Sequence, residues 1–422
     1  MNERLLQFIW RYQYFHFTDL QTINGEKLTI IHPGLHNAQQ GPDFLEAKIK
    51  LEETVLVGNI ELHVKSSDWE LHRHDQDVQY VNIILHVVWK NDKQIRAAFP
   101  FATLELQPYV SNILLERYDY LHTQPTRFVA CQDYLPVLSG LSWLNWKERL
   151  GVERLKRKST ALLETLHHCK NDWAAVFWEE IAAAFGIKTN AESFRQIARS
   201  IPIGIIRRQR NSLLALESLL FGQAGLLYRD FQEDYPSRLK KEYVYLRQKH
   251  QLSPSTVTVA FLRMHPQNFP TIRLAQLAKL LHVSAHLFTQ IVDADSLENV
   301  RKLLEVEAGG YWDNHFVFEK ISRQSAVKNL GNSMVDTILI NCVVPVVFAY
   351  GYYHQYENIQ DKALQWLSQV KPESNTIIEK WEQLSIIPAN ALESQALLEL
   401  FRQYCTEKKC LSCNVGIQYL GR

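Results

Sequence analysis

Asp43, Glu61, His63 and Lys65 are the residues whose types and spacing point first to chemistry. Glu61, His63 and Lys65 alternate along GNIELHVK, so in a β-strand they project from one face while Ile60, Leu62 and Val64 hold the other. Asp43 opens the preceding apolar run, Phe44 to Ile49. With Lys50 to Thr54 as the loop of a hairpin, Ile49 faces Val55, Ala47 faces Val57, and Asp43 faces Glu61. Two acids directly opposite on neighbouring strands repel unless a cation sits between them. Mg²⁺ or Mn²⁺ with oxygen ligands is the simplest candidate, and His63 or Lys65 would orient or deprotonate a water. A slip of one residue would carry Asp43 to the other face, so the expectation stands on register.

A second set of ligand-type residues follows the strand: Asp68, His72, His74, Asp75 and Asp77 lie between Ser66 and Tyr80. Six of the 16 histidines fall between His32 and His86, and imidazole is the commonest ligand for zinc and other transition metals. A zinc hydrolase built on His63, His72, His74 and Asp77 is therefore a rival to the two-carboxylate site. His86, inside an apolar run, reads as a core histidine bonded to backbone. A third set, Cys405, Cys410 and Cys413, has the spacing C-x4-C-x2-C, which suits zinc or an iron-sulfur cluster. Cys131 is the favoured fourth ligand, ahead of Cys342 and Cys169.

The elements that must position these residues are legible in outline. Leu5, Ile9 and Tyr12 recur at helical spacing, giving an opening helix over residues 3–15. Leu28 to Ile31, Phe44 to Ile49, Val55 to Val64 and Val81 to Trp89 read as strands, the third apolar on both faces at Val55, Leu56 and Val57. Gln94 to Leu106 reads as hairpin-like. From about Cys131 to residue 405 apolar residues recur at three and four, with turns at Gly186, Pro202, Tyr235-Pro236, Pro266 to Pro270 and Gly309-Gly310. The expected fold is an α/β core, a mixed sheet with flanking helices, followed by a large all-α domain. The boundaries are 1–125, 126–404 with two lobes split near 235–255, and a cysteine-containing segment 405–422.

A net charge of +1 gives no global pull on nucleic acid, so any such surface must be local. Three basic clusters in the helical part are candidates: Lys147 to Lys158, Arg207 to Arg210, and Arg238 to Lys241. Arg263 and Arg273 flank a proline-punctuated loop that could hold an anion, although packing is the simpler reading. The opening residues carry Glu3, Arg4 and Arg11 and no cleavage site, and the apolar run Val343 to Tyr350 is too short to span a bilayer. These features lead to the expectation of a cytoplasmic protein without a membrane partner, whose cysteines are thiols or metal ligands.

Pro42-Asp43, a strand, a turn and a strand ending in Glu61-Leu62-His63 resemble the PD-(D/E)XK phosphodiesterase superfamily. The resemblance implies a restriction-endonuclease-like core and a metal-dependent nuclease acting on nucleic acid, DNA ahead of RNA. It departs from that pattern at His63, which stands where the superfamily has lysine, with Lys65 two residues further on. A non-catalytic binding scaffold is therefore the alternative. Some nucleases of the superfamily staple one distant cysteine to three near the C-terminus with an iron-sulfur cluster, and the cysteines here are similar in plan. The whole chain, through GPDF, GNIELHVKSSDW, LHVV and the cysteine-containing end, resembles an uncharacterised bacterial family of unknown function (2851).

Overall fold

The computed structural model describes the chain except residues 38, 75–76, 96–100, 124–126, 138–139, 254–256 and 422. Its residues fall into two compact units, Met1–Leu138 with Phe401–Arg422, and Ser139–Leu400. The chain thus leaves the first unit and returns to it with its last residues.

The first unit opens on α1 (Glu3–Tyr12), shorter than the expected 3–15. Asn2 caps it by accepting the Leu5 N–H, and Gln13 ends it in the left-handed region at φ 53°. Leu5, Leu6, Ile9 and Trp10 are buried, and the Trp10 indole donates to the Pro33 carbonyl at 3.0 Å. The strands are β1 (Leu20–Gln21), β2 (Lys27–His32), β3 (Leu35–His36), β4 (Phe44–Leu51) and β5 (Thr54–Lys65). A short helix α2 (Asp68–Leu71) leads to β6 (Ile83–Lys90) and β7 (Ala102–Glu105), and α3 (Asn112–Thr123) follows. They form one mixed sheet in the order β1-β2-β4-β5-β6-β7, with β3 also on β4. The β2, β4 and β5 pairings are antiparallel, and β5, β6 and β7 run parallel. Of the hairpin-like stretch 94–106, residues 96–100 lie outside the described residues, and Ala102–Glu105 runs parallel to β6 instead of folding back on it. Val55 and Val57 are exposed, so the first half of β5 is not the doubly buried strand that its apolar run implies.

The β4–β5 register differs from the expected one in an informative way. Leu51 pairs with Thr54 across a two-residue turn, and Ile49 pairs with Leu56, one step from the pairing that a five-residue loop would give. A bulge between Phe44 and Ala47, with Glu46 at φ 56°, takes up that step, so Phe44 pairs with Ile60. Asp43 is thereby brought level with Glu61 after all. On the other side of β5, a second shift separates Asn59↔Ile83 from Ile60↔Leu85. Gly58 sits at the crowded point, where an added Cβ would lie 2.5 Å from Ile84 Cγ2 and 2.6 Å from the Asn82 carbonyl.

The second unit is almost wholly helical, beginning with α4 (Gly140–His168), and its core gathers Phe185, Phe194, Phe221, Trp312, Phe348 and Trp366. Tyr235-Pro236 proves to be the first turn of a helix, Asp234–Lys249, where proline's missing N–H costs nothing. A small hairpin, His315–Val317 with Lys320–Ile321, interrupts the helices. The apolar run at Val343 belongs to a 23-residue helical stretch, Asn332–His354, long and apolar enough to cross a membrane. Its window is 78% buried inside the structure, as a core helix is.

The basic clusters of this unit are largely committed to its own acids. Lys147 pairs with Glu393 at 2.6 Å, Arg149 with Glu153 at 2.9 Å, and Arg154 and Arg157 both reach Glu399. Half-buried Lys158 is pushed down to about 8, chiefly by loss of solvation, and donates to the Asn341 side chain. Arg207 lies 4.0 Å from Asp172, Arg238 3.6 Å from Asp234, and Lys240 2.7 Å from Asp230. Arg273 is buried, donating to Gln276 at 2.8 Å and Asn268 at 2.5 Å.

Because Gly58 is crowded by Asn82 and Ile84 at the start of β6, Gly58→Ala should destabilise the first unit by about 2 kcal/mol through overpacking. Urea unfolding followed by tryptophan fluorescence would check this; an unchanged midpoint would show that the pinch at Gly58 does not set the register.

Candidate metal centre

The end of β5 carries Glu61 and His63 inward, and the α2 connection returns His72 and His74 to the same point. Glu61 is 5% exposed and His63 1%, an unusual burial for an acid and an imidazole in one strand. One ring nitrogen from each of His63, His72 and His74 lies within 4.8 Å of the other two. In detail, His63 Nε2 is 3.1 Å from His72 Nδ1 and 3.3 Å from His74 Nε2. Glu61 Oε1 is 3.4 Å from His74 Nε2 and 3.7 Å from His63 Nε2. Donors about 2.0–2.1 Å from a tetrahedral zinc stand about 3.3–3.4 Å from one another. The three imidazole nitrogens are therefore close enough together to share one ion, with Glu61 Oε1 beside those of His63 and His74.

A neutral imidazole nitrogen makes one hydrogen bond, whereas His63 Nε2 faces two ring nitrogens and a carboxylate oxygen at once. Burial, then the neighbouring His86, His74 and His72, holds His63 down to about 2, so it stays neutral, the form that binds metal. Its other nitrogen, Nδ1, lies 2.8 Å from His86 Nε2. With Nε2 turned to a cation, Nδ1 carries the hydrogen and donates it to His86, the outer-shell bond that fixes a metal ligand's tautomer. His86, read from sequence as bonded to backbone, is thus bonded to another ring. Burial pushes it down to about 3, and its Nδ1 has no hydrogen-bond partner among the described residues. Trp69 is buried edge-on to His63 and packs against His74 and His86, while Tyr80 stacks on His74 at 3.9 Å.

Asp43 stands beside Glu61 as the sequence predicts, but in a supporting position. Its backbone N–H donates to Glu61 Oε2 at 3.1 Å. Its own oxygens accept from the Leu62 N–H at 3.1 Å and from the Gln7 side chain of α1 at 2.7 Å. Burial pushes both carboxyls well above the ordinary carboxylate range, and the charge of Asp43 raises Glu61 further. Burial and the neighbouring acid make negative charge costly at both groups, and a cation bound there would offset that cost.

The remaining candidates lie elsewhere. Lys65 is exposed at the end of β5, and its N–H donates to Asp68. Asp77 is exposed and caps the turn Val78–Tyr80 by accepting the Gln79 N–H at 2.9 Å. Asp75 lies outside the described residues. Cys131, Cys405, Cys410 and Cys413 line a separate cavity of the same unit. Sequence reasoning missed Gln7, which nothing in α1 singles out. It also missed the role of His86, although a histidine in a strand buried on both faces must find a partner.

No curated protein and no solved structure matches the chain. Residues 3–376 match the family described as "Protein of unknown function (DUF2851)", a span that holds α1, the whole sheet, the histidines and Cys131 but stops before Cys405. With most of its length matched, the chain belongs to the DUF2851 family.

Proposed function

We propose that the first unit is a metal-dependent phosphodiesterase of the nuclease kind, its ion held by His63, His72, His74 and Glu61. The observation that carries this reading is the convergence of three imidazole nitrogens within reach of one ion, with Glu61 Oε1 beside two of them. Three nitrogens and one oxygen favour zinc or a similar transition metal over Mg²⁺ or Mn²⁺, which take oxygen shells. Bound there, a divalent ion supplies Lewis acidity at neutral pH. Glu61 offers Oε1 to the ion while Oε2 is held by the Asp43 N–H. Asp43 positions Glu61 and ties the centre to α1 through Gln7.

Two observations support a phosphodiester substrate. The order of α1, the β2-β4-β5 meander, α2 and a parallel β6, with Asp43 beside Glu61, resembles the PD-(D/E)XK plan. Gln7 also lines a cavity of about 490 Å³ whose wall carries Arg4, Arg11, Lys408 and Lys409 against a single acid, Glu407. Such a concentration of cations suits a backbone of phosphates. The exposed position of Lys65, and a histidine where the superfamily has lysine, favour a second reading in which the unit binds nucleic acid without cutting it.

Metal analysis of the purified chain should find about one zinc-type ion at this centre, lost in His74→Ala, with affinity about 10- to 100-fold weaker in His86→Ala. An unchanged metal content in both variants would remove the histidine centre from consideration. With labelled single- and double-stranded DNA and RNA, cleavage should require the divalent ion and fall at least about 100-fold in Glu61→Gln. Binding without cleavage at full metal occupancy selects the scaffold reading, and no binding at all defeats both. Lys409→Ala should weaken binding and lower the slope of log K against log salt by about 0.7–0.9, the share of one phosphate contact.

A further inference from the structure

The helical unit holds a polar cavity of its own. It measures about 340 Å³, within the range of small-molecule sites, and four segments of Ser139–Leu400 build it. The turn Pro266–Asn268 gives Asn268, and the helix Pro270–Val283 gives Arg273 and Gln276. The loop before Gly331 gives Lys328, and the helical stretch Asn332–His354 gives Ser333. The residues described along its wall include no Asp and no Glu.

Arg273 marks this cavity as a site. It is 6% exposed, yet among the described residues no carboxylate pairs with it. Burial pulls its guanidinium down to about 10, with no acid offsetting the loss. Its terminal nitrogens donate to Gln276 Oε1 at 2.8 Å and Asn268 Oδ1 at 2.5 Å, and its Nε has no partner among the described residues. Two neutral amides orient the guanidinium without cancelling its charge, and a buried charge left uncancelled is costly. Lys328 adds to the imbalance. It is 5% exposed, and its ammonium donates to the carbonyls of Trp312, Asp313 and Ala326. Of the acids only Asp313 acts on it, and more weakly than burial does. Gln276 donates in turn to the Lys328 carbonyl at 2.9 Å, which joins the two cations in one network.

The last wall adds donors. The 23-residue stretch Asn332–His354 begins at the cavity, and Gly331 at its N-cap has no side chain to accept the first N–H groups. A helix start of this kind attracts an anion, and Asp336, the acid nearest that end on the same helix, is engaged by Arg301 at 2.5 Å. We propose that the cavity binds the phosphate group of a small phosphorylated molecule, with Arg273 as its fixed cation and Ser333 and the helix start as further donors. Donors converging from several segments suit a tetrahedral group with three free oxygens, whereas a carboxylate offers two oxygens in one plane. The assignment stands on the helical unit alone, whether or not the histidine centre holds a metal.

The test is isothermal calorimetry on the full chain with inorganic phosphate and with glycerol 3-phosphate, at an ionic strength held constant with chloride. A saturable site is expected, its affinity falling at least about 10-fold in Arg273→Gln. Ser333→Asp places a carboxylate in the first turn of a helix, where helices favour one, so the fold is kept while phosphate binding should be lost. Should Arg273→Gln fail to fold, Ser333→Asp decides. His74→Ala and Lys409→Ala, which alter the first unit, should bind phosphate as the wild type does, so that failure of this site and failure of the phosphodiesterase reading are told apart. Binding that is absent from the wild-type chain, unchanged in Ser333→Asp or in folded Arg273→Gln, or lost in Lys409→Ala instead, overturns the assignment. Acetate held as tightly as phosphate overturns the choice of ligand.

Discussion

Lone pairs crowded into the interior of a sheet must be compensated, and this requirement organises the first unit. Glu61 Oε1 and His63 Nε2 come together with His74 where water is largely excluded, the exposed His72 closes the group from outside, and burial disfavours the charged forms of Glu61 and His63. The surrounding structure spends its contacts on holding them there. Bulges on both sides of β5 aim Glu61 and His63, the Asp43 N–H restrains one carboxylate oxygen, His86 fixes one ring, and Trp69 and Tyr80 pack against the rings. Packing and hydrogen bonds of this kind leave each side chain little freedom to turn away from the others.

Much of this was legible in the sequence, and the exceptions have physical causes. The alternation through Glu61 and His63, and the enrichment of histidines up to His86, mark the right stretch. The facing of Asp43 and Glu61 is correct, although the hairpin register from which it was read is off by one and the bulge at Glu46 restores it. Neither Glu46 nor Glu52 is a residue that advertises a left-handed backbone, so neither the bulge nor the two-residue turn could be read in advance. The burial of Val55 and Val57 was overestimated because an apolar run does not say which strand faces are covered. Pro236 was read as a turn because proline both breaks helices and begins them.

Charge shows the same limit of local reading. The conspicuous runs, Lys147 to Lys158 above all, are spent on Glu393 and Glu399 inside the helical unit. The cationic wall that remains comes from Arg4 and Arg11 at one end of the chain and Lys408 and Lys409 at the other, which no window on the sequence would join. A net charge of +1 conceals both facts.

The pairing of the two ends within one unit has a consequence for how the chain is made. Tyr14 packs its ring against Gly421 and its hydroxyl reaches the Ile417 carbonyl, and Arg117 reaches the Tyr419 carbonyl, contacts spanning 403 and 302 residues of sequence. A nascent sheet emerging from the ribosome must wait, with the surface meant for Tyr419 and Leu420 uncovered, while the whole of Ser139–Leu400 is synthesised. The helical unit, whose contacts close within its own span, is free to collapse first, so the earliest-translated strands are among the last parts of the molecule to reach their finished form.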